Sequence, residues 1–320
     1  MTFISVVVPM HGDEPYIEQC VDGLLSQRYA SGARELIFVD NGASAQARAL
    51  VDSRRDVVVI DEPGPGAYAA RNAGLRASRG DIIAFTDADC AVSPDWLSAV
   101  SEAMADRYTN VVVGSYSPAR PTFAASALAA YENAKNGLIF NGVDDDLYYG
   151  FTNNMAARAR LFDEIGEFMP RIRGSDAIFA RTVVERYGHG TVRFVPRMSV
   201  RHLEINSAAD YYRKVFVHSR SIRSLDTVVK HRPLRLRERL EVFRRTVREN
   251  GYSPGAAARL MALLATGMLA WEAGALVPWK EAGNGHATAN ATGNGAGPAA
   301  QHRQASVDGA REVETWRRAM

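Results

Sequence analysis

Residues 80–90 read GDIIAFTDADC. The apolar run 82–85 is short and has polar residues on both sides, which is typical of a buried strand rather than a helix. Asp87 and Asp89 follow it directly. Side chains two residues apart project to one face of an extended chain, so we expect both carboxylates to face one ligand. Such a pair is typical of a Mg²⁺ or Mn²⁺ site, although it also occurs in solvated surface turns.

Strand and helix patterns alternate on both sides of this stretch. Strand patterns cover 3–9, 35–40, 57–61 and 81–86, and helical patterns cover 14–27, 45–53 and 67–78. This alternation predicts an α/β fold with a doubly wound, mainly parallel, Rossmann-like sheet. Ligands bind beyond the carboxyl ends of strands in such sheets. The sequence therefore predicts a site at the ends of these strands, where Pro9 and Asp40 are the last residues and Asp87 follows directly.

The pattern is less regular in the second half of the chain. Strand patterns occur at 111–115, 148–156 and 191–195, and helical patterns at 124–140 and 177–187. Residues 211–250 then hold twelve Lys or Arg against four Asp or Glu, a net charge of +8. An apolar stretch, 260–279, follows, and from residue 281 Gly, Ala, Asn and Thr dominate without periodicity.

Composition excludes several classes of protein. Among 320 residues, 47% are hydrophobic and 23% charged, which matches an ordinary globular protein. A net charge of +2 argues against a general nucleic-acid binder. The two cysteines, Cys20 and Cys90, stand outside CxxC spacing and argue against a disulfide scaffold or a zinc module. The first ten residues lack the pattern of a signal peptide, which favours a cytoplasmic location.

Four stretches together resemble the nucleotide-sugar-binding half of family 2 glycosyltransferases, which have the GT-A fold. They are SVVVP at 5–9, FVDNG at 38–42, PGPGAYAARNAG at 63–74 and GDIIAFTDADC at 80–90. The resemblance covers most of residues 3–100 in the right order and spacing.

The resemblance implies a role for each matching residue. Pro9 and Asp40 would border the base and ribose, with Asp40 accepting a hydrogen bond from a ring N–H such as that of uracil. Arg71 would help to hold the nucleotide. Asp87 would face the ribose or a metal-bound water, and Asp89 would ligate the Mn²⁺ or Mg²⁺ that bridges the diphosphate. The simpler alternatives are a turn-forming Asp40 before Asn-Gly and a surface salt bridge for Arg71.

A weaker resemblance continues through the acceptor half, in FTNNMAAR at 151–158 and FDEIGEF at 162–168. The family usually shows a Glu-Asp pair next, with an Arg five residues on. This chain reads GSDAIFAR at 174–181, so Asp176 and Arg181 are kept while Ser175 replaces the Glu. Inverting transfer needs a base that takes the proton of the acceptor hydroxyl, and Asp176 is our candidate. Ser175 and Asp176 could alternatively cap the following helix.

His202 is the third predicted metal ligand beside Asp87 and Asp89. In the family, a histidine at this place commonly completes the metal shell or contacts the diphosphate. A neutral imidazole suits Mn²⁺ better than Mg²⁺.

We therefore divide the chain into three parts. Residues 1–205 form a GT-A catalytic domain, with a nucleotide-sugar-binding half at 1–108 and an acceptor half at 109–205. Residues 206–280 form a basic and apolar helical appendage, and residues 281–320 form a disordered tail. The sequence leaves open whether 260–279 spans a membrane, lies on its surface or packs on the catalytic domain. Peripheral membrane contact through 211–280, at the inner face of the cell membrane, fits the adjacent basic run.

The resemblance predicts a metal-dependent inverting glycosyltransferase. It would transfer a sugar from a nucleoside-diphosphate donor, UDP-linked by preference, to a polysaccharide, glycolipid or polyprenyl-linked acceptor. One alternative is a non-catalytic binding or scaffold protein, to which Ser175 points. The other is a sugar nucleotidyltransferase, which would want a basic Gly-rich loop after the first strand, where this chain has the acidic stretch MHGDE at 10–14.

Overall fold

The computed structural model describes residues 2–12, 14–141, 151–170, 174–222 and 234–277. The strands are β1 Ile4–Gly12, β2 Arg34–Ala43, β3 Val58–Asp61, β4 Ile82–Thr86, β5 Cys90–Val92, β6 Val111–Pro118, β7 Asn154–Arg158 and β8 Val192–His202. The α-helices are α1 Ile17–Leu25, α2 Ala45–Asp52, α3 Ala67–Ala77, α4 Trp96–Met104, α5 Phe123–Phe140, α6 Arg160–Ile165, α7 Ser175–Tyr187, α8 Ala208–Ile222, α9 Leu236–Glu249 and α10 Pro254–Leu276.

All the strands of the described residues belong to one sheet, in the order β3-β2-β1-β4-β7-β6-β8-β5. Strands β1 to β4 pair in parallel with their neighbours, as predicted. Beyond β4 the sheet is mixed, because β7 runs antiparallel to both β4 and β6, while β6 and β8 are parallel. The carboxyl ends of β1, β2 and β4 therefore meet at one edge of the sheet.

The hydrophobic core lies on both faces of this sheet. In β1, Val6 and Val8 point into a cluster with residues of α1 and α4, while Val7 points into a second cluster with residues of α3 and α7. This alternation follows from the side-chain period of two in a strand. Because helices cover both faces, the strands at the centre read as continuous apolar runs.

Three features that follow β4 differ from the sequence prediction. β5 and α4 were not predicted, and β5 has only three residues. β7 begins at Asn154, not near 148, and residues 148–150 lie outside the described residues. β8 continues to His202, well beyond the predicted end at 195. β5 is too short to show a pattern, and β8 continues because it pairs with β6 and β5. α4 has a buried face that includes Trp96, Val100 and Met104, a local pattern that the sequence prediction missed.

The C-terminal part is helical, as predicted. α10 packs along α8, and α9 packs against α5 of the sheet domain. α10 is a 23-residue helix that is long and apolar enough to cross a membrane, judged by length and composition alone, and only 6% of its apolar window is buried. The predicted disordered tail, 281–320, lies outside the described residues.

Candidate active site

Pro9 and Asp40 lie side by side at the ends of the first two strands. Pro9 is in register with Val39, and Met10 with Asp40. Asp40 Oδ1 accepts hydrogen bonds from the backbone N–H groups of Gly42 (3.0 Å) and Ala43 (2.8 Å). Its Oδ2 accepts from Arg48 Nη1 at 3.0 Å. Asp40 therefore holds the backbone at the end of β2, and the nucleotide contact that the resemblance implies stays a prediction.

The same contacts hold the Asp40 carboxylate in its ionised form. Burial works against ionisation, but the two backbone N–H groups and the Arg48 guanidinium outweigh it and hold the pKa of Asp40 below its usual value. A ligand at this strand end thus meets an acceptor with a fixed orientation and a negative charge.

Asp87 and Asp89 lie in a tight turn, not in the extended backbone expected from the sequence. The Cys90 N–H donates to the Asp87 carbonyl oxygen at 3.0 Å, which closes the turn directly after β4. The two carboxylates therefore have different partners. Asp87 accepts a short hydrogen bond from Arg71, while Asp89 Oδ2 lies 3.4 Å from His202 Nδ1.

Arg71 is a buried residue of α3, which excludes the surface salt bridge that we considered for it. The residue is 5% exposed, and the guanidinium lies 5.2 Å from the centroid of the Tyr68 ring. Burial alone would lower the pKa of Arg71, but Asp87 and other neighbouring groups outweigh it and raise the pKa. Among the residues that the structure describes, Arg71 Nε is buried and has no hydrogen-bond partner.

His202 reaches Asp89 through a strand pairing that the sequence did not reveal. β5 and β8 are antiparallel, with Cys90 opposite His202 in register. The Leu203 N–H also donates to the Asp89 carbonyl oxygen at 2.9 Å. Ligand atoms of Asp89, Cys90 and His202 consequently lie within 4.8 Å of one another. Two of the three predicted metal ligands are thereby brought together.

Two charged residues that sequence reasoning missed also face this cluster. Lys214 of α8 places Nζ 2.8 Å from His202 Nε2, 3.1 Å from Glu204 Oε2 and 3.6 Å from Asp89 Oδ2. Glu204 follows His202 by two residues, which was a usable signal for a second carboxylate. Lys214 belongs to the basic run 211–250, and nothing in its spacing distinguishes it from the other members.

The protonation states of the cluster follow from burial. Burial, together with the charge of Asp87, raises the pKa of Asp89 to about 7. Burial and the Lys214 ammonium lower the pKa of His202 to about 4, so the imidazole is neutral at pH 7. Burial likewise raises the pKa of the Cys90 thiol well above its usual value, so the thiol is protonated in the metal-free site.

These residues fit a divalent cation. His202 Nδ1 is buried and has no hydrogen-bond partner within the described part of the chain, and it lies close to a carboxylate oxygen of Asp89. A neutral imidazole and a carboxylate are the donors that Mn²⁺ accepts from proteins. Asp89 and His202 would hold the ion, with Glu204 as a nearby further carboxylate, while Asp87 is paired with Arg71.

Asp176 lies in the first turn of α7 and is 8% exposed. Its Oδ1 accepts hydrogen bonds from the Tyr68 hydroxyl at 2.7 Å and from the Ala177 N–H at 3.0 Å. Its Oδ2 accepts from the N–H of Thr152 at 3.0 Å and from the Thr152 hydroxyl at 3.3 Å. The helix-capping alternative is wrong, because the N-cap residue of α7 is Gly174 and Ser175 and Asp176 lie inside the helix. The bonds from Tyr68 and Thr152, on other elements, fix the direction of the carboxylate.

Ser175, which replaces the usual Glu, has a structural contact. Its hydroxyl accepts a hydrogen bond from the Met169 N–H at 2.6 Å, and the residue is 2% exposed. Ser175 therefore ties the segment before α7 to the helix. A glutamate side chain at this buried position would have to replace that contact.

The comparisons with known proteins agree with this architecture. The model of glycosyl transferase family 2 matches residues 5–179, more than half of the chain. The chain therefore belongs to glycosyl transferase family 2.

Two curated relatives illustrate the match. The chain is 25% identical over 173 residues to the glycosyltransferase AglE of Haloferax volcanii, which covers 52% of this chain and 56% of AglE. It is 33% identical over 113 residues to the uncharacterized glycosyltransferase EpsJ of Bacillus subtilis, which covers 34% of this chain and 32% of EpsJ. The similarity thus spans about half or less of these relatives.

A solved structure confirms the GT-A fold. The mannosyltransferase PcManGT from Pyrobaculum calidifontis, in complex with GDP-Man and Mn²⁺, superposes with a TM-score of 0.56 at 17% identity. The superposition covers 98% of this chain and 83% of PcManGT. Because the sequence identity is only 17%, this similarity shows a shared fold and nothing more specific.

Proposed function

We propose that this protein is a metal-dependent inverting glycosyltransferase. It takes a nucleoside-diphosphate sugar, UDP-linked by preference, and transfers the sugar to a hydroxyl or phosphate of a polysaccharide, glycolipid or polyprenyl-linked acceptor. One observation carries the proposal. α3 connects the two carboxylate groups, because Tyr68 donates to Asp176 and Arg71, one turn later, donates to Asp87.

The donor is assigned to the strand ends of the first half. Pro9 and Asp40 border the base and ribose there, and the charged Asp40 carboxylate accepts a hydrogen bond from a ring N–H. The diphosphate lies toward Asp87, Asp89 and His202. A bound Mn²⁺ or Mg²⁺ at Asp89 and His202 would neutralise the charge that develops on the leaving diphosphate. That PcManGT was solved with GDP-Man and Mn²⁺ supports this assignment.

Asp176 is the base of the transfer. Its carboxylate takes the proton of the acceptor hydroxyl as that oxygen attacks the anomeric carbon from the face opposite the diphosphate. The bond to the diphosphate oxygen breaks, and the configuration at the anomeric carbon inverts. The hydrogen bonds from Tyr68 and Thr152 aim the carboxylate, so that little reorganisation is needed at the moment of reaction.

The C-terminal helices provide a contact with an anionic lipid bilayer. On α10 the large apolar side chains of Met268, Leu269 and Leu276 are 54%, 72% and 80% exposed. The preceding run 211–250 carries +8, so the remaining 280 residues together carry −6. Positive charge is thus concentrated next to the exposed apolar helix. An anionic membrane surface matches both features, and the glycolipid or polyprenyl-linked acceptors would lie in the same membrane, at its cytoplasmic face.

Calorimetric titration tests the donor assignment. The purified protein is titrated with UDP, GDP and dTDP, each with and without Mn²⁺. We expect Mn²⁺-dependent binding, with UDP preferred. Absence of binding to all three nucleotides would favour the scaffold alternative.

An Asp176→Asn variant tests the catalytic step. The amide keeps the size of the side chain but cannot take a proton, so transfer should fall by at least about 10²-fold while nucleotide binding persists. Asp163→Asn, at an exposed position of α6, is the matched control and should retain full activity. Unchanged turnover in Asp176→Asn would remove Asp176 from the role of base.

A further inference from the structure

Lys214 places a positive charge among the side chains that are suited to hold a metal ion. Its ammonium lies within 4 Å of three groups, His202 Nε2, Glu204 Oε2 and Asp89 Oδ2. Its side chain is 41% exposed and projects from α8, outside the sheet that carries Asp89 and His202. The long side chain can therefore turn away into solvent without any change in the sheet.

The contact with His202 determines which imidazole nitrogen carries the proton. An ammonium group has three donors and no acceptor. His202 Nε2 must therefore accept the hydrogen bond from Lys214, and the proton of the neutral ring sits on Nδ1. Nδ1 is the nitrogen beside Asp89 Oδ2, and while it is protonated it has no lone pair for a cation.

A divalent cation and Lys214 consequently exclude each other at either ring nitrogen. A cation on Nε2 would take the lone pair that accepts from Lys214. A cation on Nδ1 would move the ring proton to Nε2, where an N–H would face the ammonium donors. The positive charge of Lys214 near the Asp89 and Glu204 carboxylates adds Coulomb repulsion in both cases.

From this geometry we infer that Lys214 is an internal cation that occupies the metal site in the metal-free protein and is displaced when the divalent metal binds. The inference rests on the metal dependence in the proposed function. Lys214 stabilises the metal-free cluster by offsetting part of the negative charge of Asp89 and Glu204. Once displaced, its ammonium is free to pair with the diphosphate of the donor. Metal and nucleoside diphosphate therefore bind cooperatively, and Lys214 contributes to that coupling.

Binding of Mn²⁺ alone to the full chain, without nucleotide, tests the inference. The affinity is measured by electron paramagnetic resonance and by calorimetry. Lys214→Met keeps an unbranched side chain but removes the donors and the charge. We expect Lys214→Met to bind Mn²⁺ about tenfold more tightly than the wild type. Arg213→Met, at the neighbouring and 75% exposed position, removes the same charge and should leave the affinity unchanged.

A second measurement uses the wild-type chain, so it tests the inference even if the Lys214 variant does not fold. The ¹⁵N shifts of the His202 ring, assigned by comparison with His202→Gln, report which nitrogen is protonated. We expect the proton on Nδ1 in the metal-free protein, and loss of that state on titration with diamagnetic Zn²⁺, which imidazole binds well.

The failure of this inference can be told apart from failure of the proposed function. Equal Mn²⁺ affinity of the wild type and Lys214→Met, or a metal-free ring protonated on Nε2, would overturn the role of Lys214. Mn²⁺-dependent nucleotide binding would leave the proposed function standing in that event. If neither protein bound Mn²⁺ with or without nucleotide, the metal-dependent function itself would be wrong.

Discussion

Tyr68 joins the two carboxylate groups of the site at the scale of a single residue. Its ring packs near the Arg71 guanidinium, and its hydroxyl donates to Asp176. Burial raises the pKa of the Tyr68 phenol well above its usual value, so the hydroxyl remains a donor throughout the neutral range. Tyr68 therefore acts as a positioning residue for the proposed base.

Tyr68→Phe keeps the ring and removes only the hydroxyl. We expect kcat to fall about tenfold, because the Asp176 carboxylate loses one of the bonds that aim it. The affinity for UDP should not change, and the free energy of unfolding should fall by about 1 kcal/mol. Steady-state kinetics and nucleotide titration of the same preparations check this. A full kcat would show that Tyr68 has no part in aiming the carboxylate.

Glu35 makes the stability of the fold depend on pH, and it lies outside the candidate active site. It is 9% exposed and accepts hydrogen bonds from the Ser5 hydroxyl (2.5 Å), the Arg79 N–H (2.7 Å) and Arg79 Nε (3.0 Å). Burial would raise its pKa, but these bonds outweigh burial and hold the pKa below its usual value. A carboxyl group of this kind contributes stability above its unfolded pKa, about 4.3, and loses it as the pH falls through the folded pKa.

Glu35→Gln removes this contribution. We expect the free energy of unfolding of the variant to be about 1–2 kcal/mol lower than that of the wild type at pH 7. This difference should shrink below about pH 4. Urea denaturation at pH 7 and at pH 3.5 measures both values. Glu102→Gln, in an exposed pair with Arg197, should change little at either pH. A difference of equal size at both pH values would contradict this account.

At the scale of elements, the contact between α8 and α10 depends on one small residue. Gly274 of α10 lies against α8, and a Cβ added there would overlap the carbonyl oxygen of Phe216. Gly267, two turns earlier on the same helix, has room, because its nearest neighbour would be Tyr212 Cε1 at 3.7 Å. Gly274 thus sets how closely α10 approaches the helix that carries Lys214.

The same substitution should therefore have opposite effects at these two positions. Gly274→Ala should lower the free energy of unfolding by about 1–3 kcal/mol, because the helices must separate. Gly267→Ala should raise it by up to about 1 kcal/mol, because Ala favours the helix. Thermal and chemical denaturation measure both. Equal effects would mean that α10 does not pack against α8 at Gly274.

At the scale of the whole molecule, charge and apolar surface are unevenly distributed. Residues 211–250 carry a net charge of +8, whereas the net charge of the whole chain is only +2. The rest of the chain is therefore acidic. Long-range attraction to an anionic surface would turn the C-terminal helices toward it. The exposed apolar side chains of α10 would then enter the interface.

Co-sedimentation with lipid vesicles tests this orientation. We expect the protein to bind vesicles that contain phosphatidylglycerol, to bind neutral vesicles much less, and to be released by high salt. Leu269→Glu should weaken binding about tenfold or more. Val58→Glu, at an exposed apolar position of β3, should bind like the wild type. Equal binding of both variants would exclude α10 as the membrane contact.

The sequence by itself determined the first half of the fold and the edge at which the site lies. Apolar periodicity in β1, β2, β4, α1 and α3 is strong and local, and a parallel sheet necessarily brings the carboxyl ends of its strands to one edge. Asp40, Asp87 and Asp89 could be placed there for that reason. Family membership and the GT-A fold, expected from four short stretches, were confirmed by the comparisons.

Only the tertiary structure decided which of these side chains meet. The three-residue strand β5 pairs with β8 and brings His202 beside Asp89, Lys214 approaches both from α8, and Tyr68 bonds to Asp176 across 108 residues of sequence. The DAD carboxylates also diverge in a turn that no pattern of alternating residues indicated. Such contacts join elements that are far apart along the chain. They depend on packing and strand pairing, and the spacing of residues within one segment carries no record of them.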